Sequence, residues 1–128
     1  MPRQSSSGVV LEKESSDLHY SDVLTFVEAN QLRKEEMWVV VGISASTHFR
    51  YLKKDPVLKP ETVDRVRRMQ RLHRQALGVF EDVEETNRWM ATPKAYLQGQ
   101  TPWLSLATDE GAKRVEEMLY RAEYGMFG

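Results

Sequence analysis

The chain carries three histidines, His19, His48 and His73, and their spacing serves neither acid–base nor metal chemistry. A zinc pair on a helix needs ligands one turn apart, as in HExxH, and no such pair occurs. There is no cysteine, which removes disulfides and thiolate ligands together and suits a reducing compartment. Glu84 and Glu85 are adjacent carboxylates, but consecutive side chains on a helix diverge by about 100°, so the two cannot close on one reacting atom. No glycine-rich phosphate loop is present. With no converging nucleophile, base or metal cluster, the sequence argues against an enzyme and calls for no cofactor and no metal.

What remains is recognition. The formal net charge is only -1, yet the charges are segregated. Between Arg50 and Arg74 the residues Arg50, Lys53, Lys54, Lys59, Arg65, Arg67, Arg68, Arg71 and Arg74 face only Asp55, Glu61 and Asp64. After Phe80 the balance turns acidic, with Glu81, Asp82, Glu84, Glu85, Asp109, Glu110, Glu116, Glu117 and Glu123 outnumbering Arg88, Lys94, Lys113, Arg114 and Arg121. Such a dipole suits a nucleic-acid face beside a different partner face, or a chain that pairs with itself; solvated helix faces laced by salt bridges are the plainer alternative. A short helix, the glycine turn at Gly42 and a second helix opening at Ser44 make a helix-turn-helix arrangement, whose second helix can enter a major groove. Ser44, Ser46, Thr47, His48, Arg50 and Lys53 are then the candidate DNA readers. Trp38 stands where a small residue usually lets the two helices approach, and His48 where an apolar residue usually faces the core. The unit therefore reads as a degenerate helix-turn-helix.

The elements that position these residues follow from periodicity and caps. At 128 residues the chain is long enough for one core. Residues 1–17 are polar and serine-rich and read as a mobile arm, docking through Val9, Val10 and Leu11. Ser16 or Ser21 caps a first helix to Asn30, with Val23, Leu24, Phe26 and Val27 on its apolar face. Lys34 to Val41 is helical by context, although its three valines also favour a strand. Ser44 caps a helix to about Lys54. The longest helix opens at Pro60 and runs to about Phe80, with Val63, Val66, Met69, Leu72, Ala76, Leu77 and Phe80 inward and His73 as a satisfied core histidine. Asp82 and Glu85 form a capping box for a helix that points Val83, Thr86, Trp89 and Met90 at the core.

Two helix starts then crowd into Tyr96 to Gly111, one at Thr101-Pro102 and one at Thr108 with Asp109 and Glu110. They force a corner, and the sequence leaves Trp103 undecided between core and interface. The last helix carries Ala112, Val115, Met118, Leu119 and Ala122 at helical spacing and stops at Gly125. The fold class is all-α.

The order of these pieces resembles the Xre/MbcA/ParS family of antitoxins. In the first half the resemblance rests on Gly42-Ile43-Ser44 with Thr47 and Arg50, Leu58-Lys59-Pro60-Glu61 with Asp64-Arg65, and Ala76 with Val79-Phe80. In the second half it rests on Trp89-Met90, Pro93, Leu97-Gln98-Gly99-Gln100-Thr101-Pro102, Leu104, Leu106-Ala107-Thr108, Gly111, Val115, Leu119, Arg121 and Glu123-Tyr124-Gly125. Lys59 departs from the capping serine common before that proline. Beyond the arm over 1–17 that composition suggests, the resemblance implies an Xre-like helix-turn-helix region over 18–58 and a long helix with a toxin-binding domain over 59–128. It also implies a homodimer that neutralises a RES-domain, NAD-consuming toxin by direct binding with its C-terminal region, and that binds its own operator DNA. By that resemblance Arg121, Tyr124, Gly125, Met126, Phe127 and Gly128 lie nearest the toxin.

A stand-alone helix-turn-helix transcriptional regulator is the competing expectation, carried by the same basic segment. Neither reading involves a membrane, since no apolar run approaches the roughly 20 residues that span a bilayer. Arg3 is followed by no apolar stretch of the kind a secretory signal needs, so the expected setting is the cytoplasm.

Overall fold

The computed structural model describes residues 17–125 and bears out the all-α expectation. The arm with Val9, Val10 and Leu11 lies outside the described residues. The helices are α1 (Tyr20–Ala29), α2 (Lys34–Val41), α3 (Ala45–Lys54), α4 (Pro60–Phe80), α5 (Val83–Met90), α6 (Pro102–Ser105) and α7 (Asp109–Glu123), with a 3-10 turn at Ala95–Leu97 before α6. No helix among the described residues is long and apolar enough to cross a membrane. The helix α4 forms the spine, and α2, α5 and α7 pack against it.

Most helix starts sit where the capping chemistry put them. Ser44 accepts the Thr47 N–H at 3.1 Å, Thr101 that of Leu104 at 3.1 Å and Thr108 that of Gly111 at 3.0 Å. Two starts differ. The N-cap of α1 is His19, whose backbone N–H donates to Asp22 Oδ2 at 2.9 Å. Ser21 lies inside that helix, and its N–H and hydroxyl both donate to Asp55, at 2.8 and 2.9 Å, tying α1 to the end of α3. At α5 only half of the capping box forms: Asp82 accepts the Glu85 N–H at 2.7 Å, while the Glu85 carboxylate pairs with Arg88 one turn on.

One apolar cluster runs from Leu18 through Tyr20, Phe26, Met37, Val66, Met69, Leu72 and Met90 to Trp103, Leu106, Val115 and Leu119. It draws on the α1–α3 segment and on the later helices alike. Trp103 is 1% exposed, so it belongs to the core. Val83, expected inside, is 39% exposed on the outer side of α5. An eight-residue helix presents only a narrow buried stripe, and Thr86 and Met90, one turn apart, fill it.

The corner between α6 and α7 requires glycine at position 111. A Cβ there would sit 2.0 Å from the carbonyl oxygen of Ser105, a backbone atom that cannot step aside without dismantling α6. Gly78, in the last turn of α4, has open space around its missing Cβ. Gly111→Ala should therefore destabilise the fold by about 2 kcal/mol. Gly78→Ala should stabilise it by about 0.5–1 kcal/mol through helix propensity. Urea unfolding of the two variants beside the parent protein checks both signs; equal midpoints for Gly111→Ala and the parent would mean that the corner relaxes freely.

Candidate partner-binding surfaces

The turn between α2 and α3 is built as the helix-turn-helix reading requires. Gly42 closes α2 in the left-handed region at φ 79°, its N–H donating to Trp38 O at 2.8 Å. Ser44, Ser46 and Thr47 cluster at the start of α3: the Ser44 hydroxyl lies 3.2 Å from that of Ser46 and donates to that of Thr47 at 3.0 Å. Arg50 and Lys53 are exposed, with the Arg50 guanidinium 5.5 Å from the Tyr51 ring centre. Ser46, Phe49, Arg50 and Lys53 share one helical face at three- and four-residue spacing.

His48 is not on that face. It is 1% exposed, its Nδ1 2.5 Å from the Tyr20 hydroxyl and its ring 5.2 Å from that of Trp38. A buried imidazole cannot reach a base edge, so His48 is removed from the candidate readers. Burial, with Lys34 as a second cause, lowers its pKa, and burial pushes the Tyr20 hydroxyl up to about 12. Trp38 lies beside it, half-buried, so an aromatic pair fills the space that a small residue and an apolar one usually share. Phe49 and Leu52 are 59% and 49% exposed, which makes the outer side of α3 part apolar as well as basic.

Three cations of the arginine row on α4 have partners within the chain. Arg65 reaches the carbonyls of Val40 and Ala107, each at 3.4 Å. Arg68 donates from Nε to Leu106 O at 3.0 Å and pairs with Asp109, and Arg71 lies 3.6 Å from Glu116. These cations are directed at the C-terminal ends of α2 and α6 and at the acidic α7. The charge segregation seen in the sequence is thus, in large part, an internal pairing of α4 with the corner and α7.

At the other end, the expected toxin-side residues of α7 are accessible. Arg121 is exposed and paired with Glu117 at 3.2 Å, Tyr124 is 62% exposed, and Gly125 takes a φ of 71° just past the helix. Met126, Phe127 and Gly128 lie outside the described residues. Two aromatic neighbours were missed by sequence reasoning. The Tyr120 ring packs at a tilt on that of Tyr124, with centres 4.7 Å apart, and Tyr96, on the 3-10 turn, donates its hydroxyl to Glu117 at 2.5 Å. That bond, first among its causes, lowers the Glu117 pKa and raises that of Tyr96. The four-residue spacing of Tyr120 and Tyr124 on an otherwise charged face was the available signal; nothing in the sequence places Tyr96 beside them.

His73 sits between the two ends. It stacks on Trp103 with ring centres 5.2 Å apart and planes 12° apart, and its Nε2 lies 2.8 Å from Asn87 Oδ1. Asn87 donates onward to Asn30 at 3.2 Å, and Asn30 to Phe26 O at 2.9 Å, so a polar thread crosses α4, α5 and α1. His73 Nδ1 is buried with no partner. The neutral ring protonated on Nε2 satisfies this geometry, and burial holds the His73 pKa below 6.5.

The chain thus presents an accessible helix after a glycine turn and an exposed tyrosine-bearing helix. Residues 75–125 match the family described as the antitoxin Xre/MbcA/ParS C-terminal toxin-binding domain. The chain is also 32% identical over 74 residues to the Antitoxin Xre of Pseudomonas putida, an alignment covering 58% of this chain and 46% of that protein. The chain thus spans less than half the length of that relative. The match over residues 75–125 falls where the motif order led us to expect the resemblance.

Acid should weaken the fold through His73. The unfolded chain takes up the imidazole proton near pH 6.5 while the folded one resists it. The stabilisation is therefore complete above about pH 6.5 and shrinks as the pH falls below it, at no more than about 1.4 kcal/mol per pH unit. Urea midpoints at pH 7.5 and 5.5 should differ less in His73→Gln than in the parent protein. An equal difference in both would show that His73 takes no part.

Proposed function

We propose that this protein is the antitoxin of a type II toxin–antitoxin pair and acts by binding, not catalysis. It neutralises a RES-domain, NAD-degrading toxin by direct contact through its C-terminal region, using Arg121, Tyr124, Gly125, Met126, Phe127 and Gly128. The observation that carries this reading is the match of residues 75–125 to a toxin-binding domain, together with the accessibility of Arg121 and Tyr124 at the end of α7. The RES class of the toxin, a homodimeric state and a cytoplasmic setting rest on the family resemblance. So does the division into an Xre-like region over 18–58 and the toxin-binding part over 59–128, while the arm over 1–17 rests on composition.

A second role, repression of its own operon, falls to α3. The left-handed turn at Gly42 and the shared face of Ser46, Arg50 and Lys53 support it, with Ser44 and Thr47 fixing the helix start. The same features support the competing reading of a stand-alone transcriptional regulator.

Deleting Tyr124 to Gly128 should abolish protection of cells that express the protein encoded beside this one; unchanged protection would remove the tail from the mechanism. Arg50→Ala and Lys53→Ala should each weaken operator binding and flatten its salt dependence by about one unit of slope. Affinity no better than for random DNA would leave α3 without a reading role.

A further inference from the structure

The geometry points to Tyr96, Tyr120 and Tyr124 as the central anchors of the toxin-docking face, which fits an apolar cleft on the partner protein; this rests on the antitoxin reading. All three lie within the segment that matches the toxin-binding domain, and they are 48%, 53% and 62% exposed. Lys113, Glu117, Tyr120 and Tyr124 recur at four- and three-residue spacing, so they form one stripe along α7, away from the stripe of Ala112, Val115 and Leu119 that is buried.

The face is held in shape before any partner arrives. The Tyr96 hydroxyl donates to one oxygen of Glu117 at 2.5 Å, Arg121 donates to the other at 3.2 Å, and Tyr120 packs on Tyr124. Glu117 thereby fastens the 3-10 turn to α7 and fixes the spacing of the rings. Tyrosine supplies a large, stiff contact area with little rotamer freedom to lose, which is why it recurs among residues that dominate binding energy.

The rim carries both signs. Glu116 is paired with Arg71 and Glu117 with Arg121, and Lys113 and Arg114 stand on the same helix as Glu123. With no excess of cations, the face offers nucleic acid nothing to hold. Exposed rings held at fixed spacing suit an apolar cleft on a protein surface instead.

The test measures affinity of the full chain for the purified product of the adjacent reading frame, by calorimetry, with thermal midpoints confirming that each variant folds. Tyr96→Ala and Tyr120→Ala should each weaken binding by about tenfold or more. Tyr96→Phe, which keeps the ring and frees Glu117, should weaken it less. Val83→Ala, on α5, should leave it within about twofold. If deletion of Tyr124 to Gly128 abolishes binding while Tyr96→Ala and Tyr120→Ala bind like the parent, the inference fails and the antitoxin reading stands. If the parent chain itself does not bind that protein, both fail. If Tyr120→Ala instead lowers the mass of the free protein by light scattering, the face is a self-contact and the inference is overturned.

Discussion

The indole of Trp103 lies flat on the imidazole of His73 and edge-on to Phe26, and the packing of the remaining helices depends on that contact. It joins α6, only four residues long and unable to stand alone, to the spine α4 and to the first helix. The stack also fixes the plane of His73, so that Nε2 can meet Asn87 and pass the polar thread to Asn30. A polar link of this kind is tolerated in a core only when geometry supplies its partners, and the Trp103 face supplies it. Because α6 is pinned from inside, the corner that follows it has a fixed origin.

The fold was largely legible in the sequence wherever short-range chemistry decides. Ser44, Thr101 and Thr108 cap as their types predict, and Pro60 and Pro102 open helices at the first helical position. What escaped were choices made by tertiary contact. Asp55 draws Ser21 away from capping, so the cap of α1 falls to His19 and Asp22. Trp103 carries no local mark of its burial, since the partners that bury it lie some thirty and more residues earlier in the chain. His48 was a candidate reader at a position that usually faces the core, and Tyr20, from a different helix, claims it for the core. At the candidate site the α7 tyrosine pair was visible as a spacing, but Tyr96 reaches Glu117 only through the turn that brings it there.

Charge shows the same limit. A run of arginines on one helix invites a nucleic-acid reading, and three of these have internal targets. Arg65 and Arg68 point at carbonyls near the C-terminal ends of α2 and α6, where the helix dipole favours a cation, and Arg68 also meets Asp109 in the first turn of α7. Exposed aromatic side chains, by contrast, stand on α3 at Phe49 and on the outer side of α7 at Tyr120 and Tyr124.

Close contact at the corner sets the direction of α7. Gly111 lets the first turn of α7 press against the Ser105 carbonyl, and Arg68 holds both sides of that contact, so α7 leaves the corner in one direction. Along that direction the Tyr96–Glu117 bond sets the angle of the tyrosine face. Preorganisation of this kind lowers the ordering cost that binding otherwise imposes, a cost of about 0.5–1.5 kcal/mol for each side chain immobilised at an interface. The corner first recognisable as a chain reversal therefore governs recognition through shape: its residues need not touch a partner to decide whether the rings that do are in place.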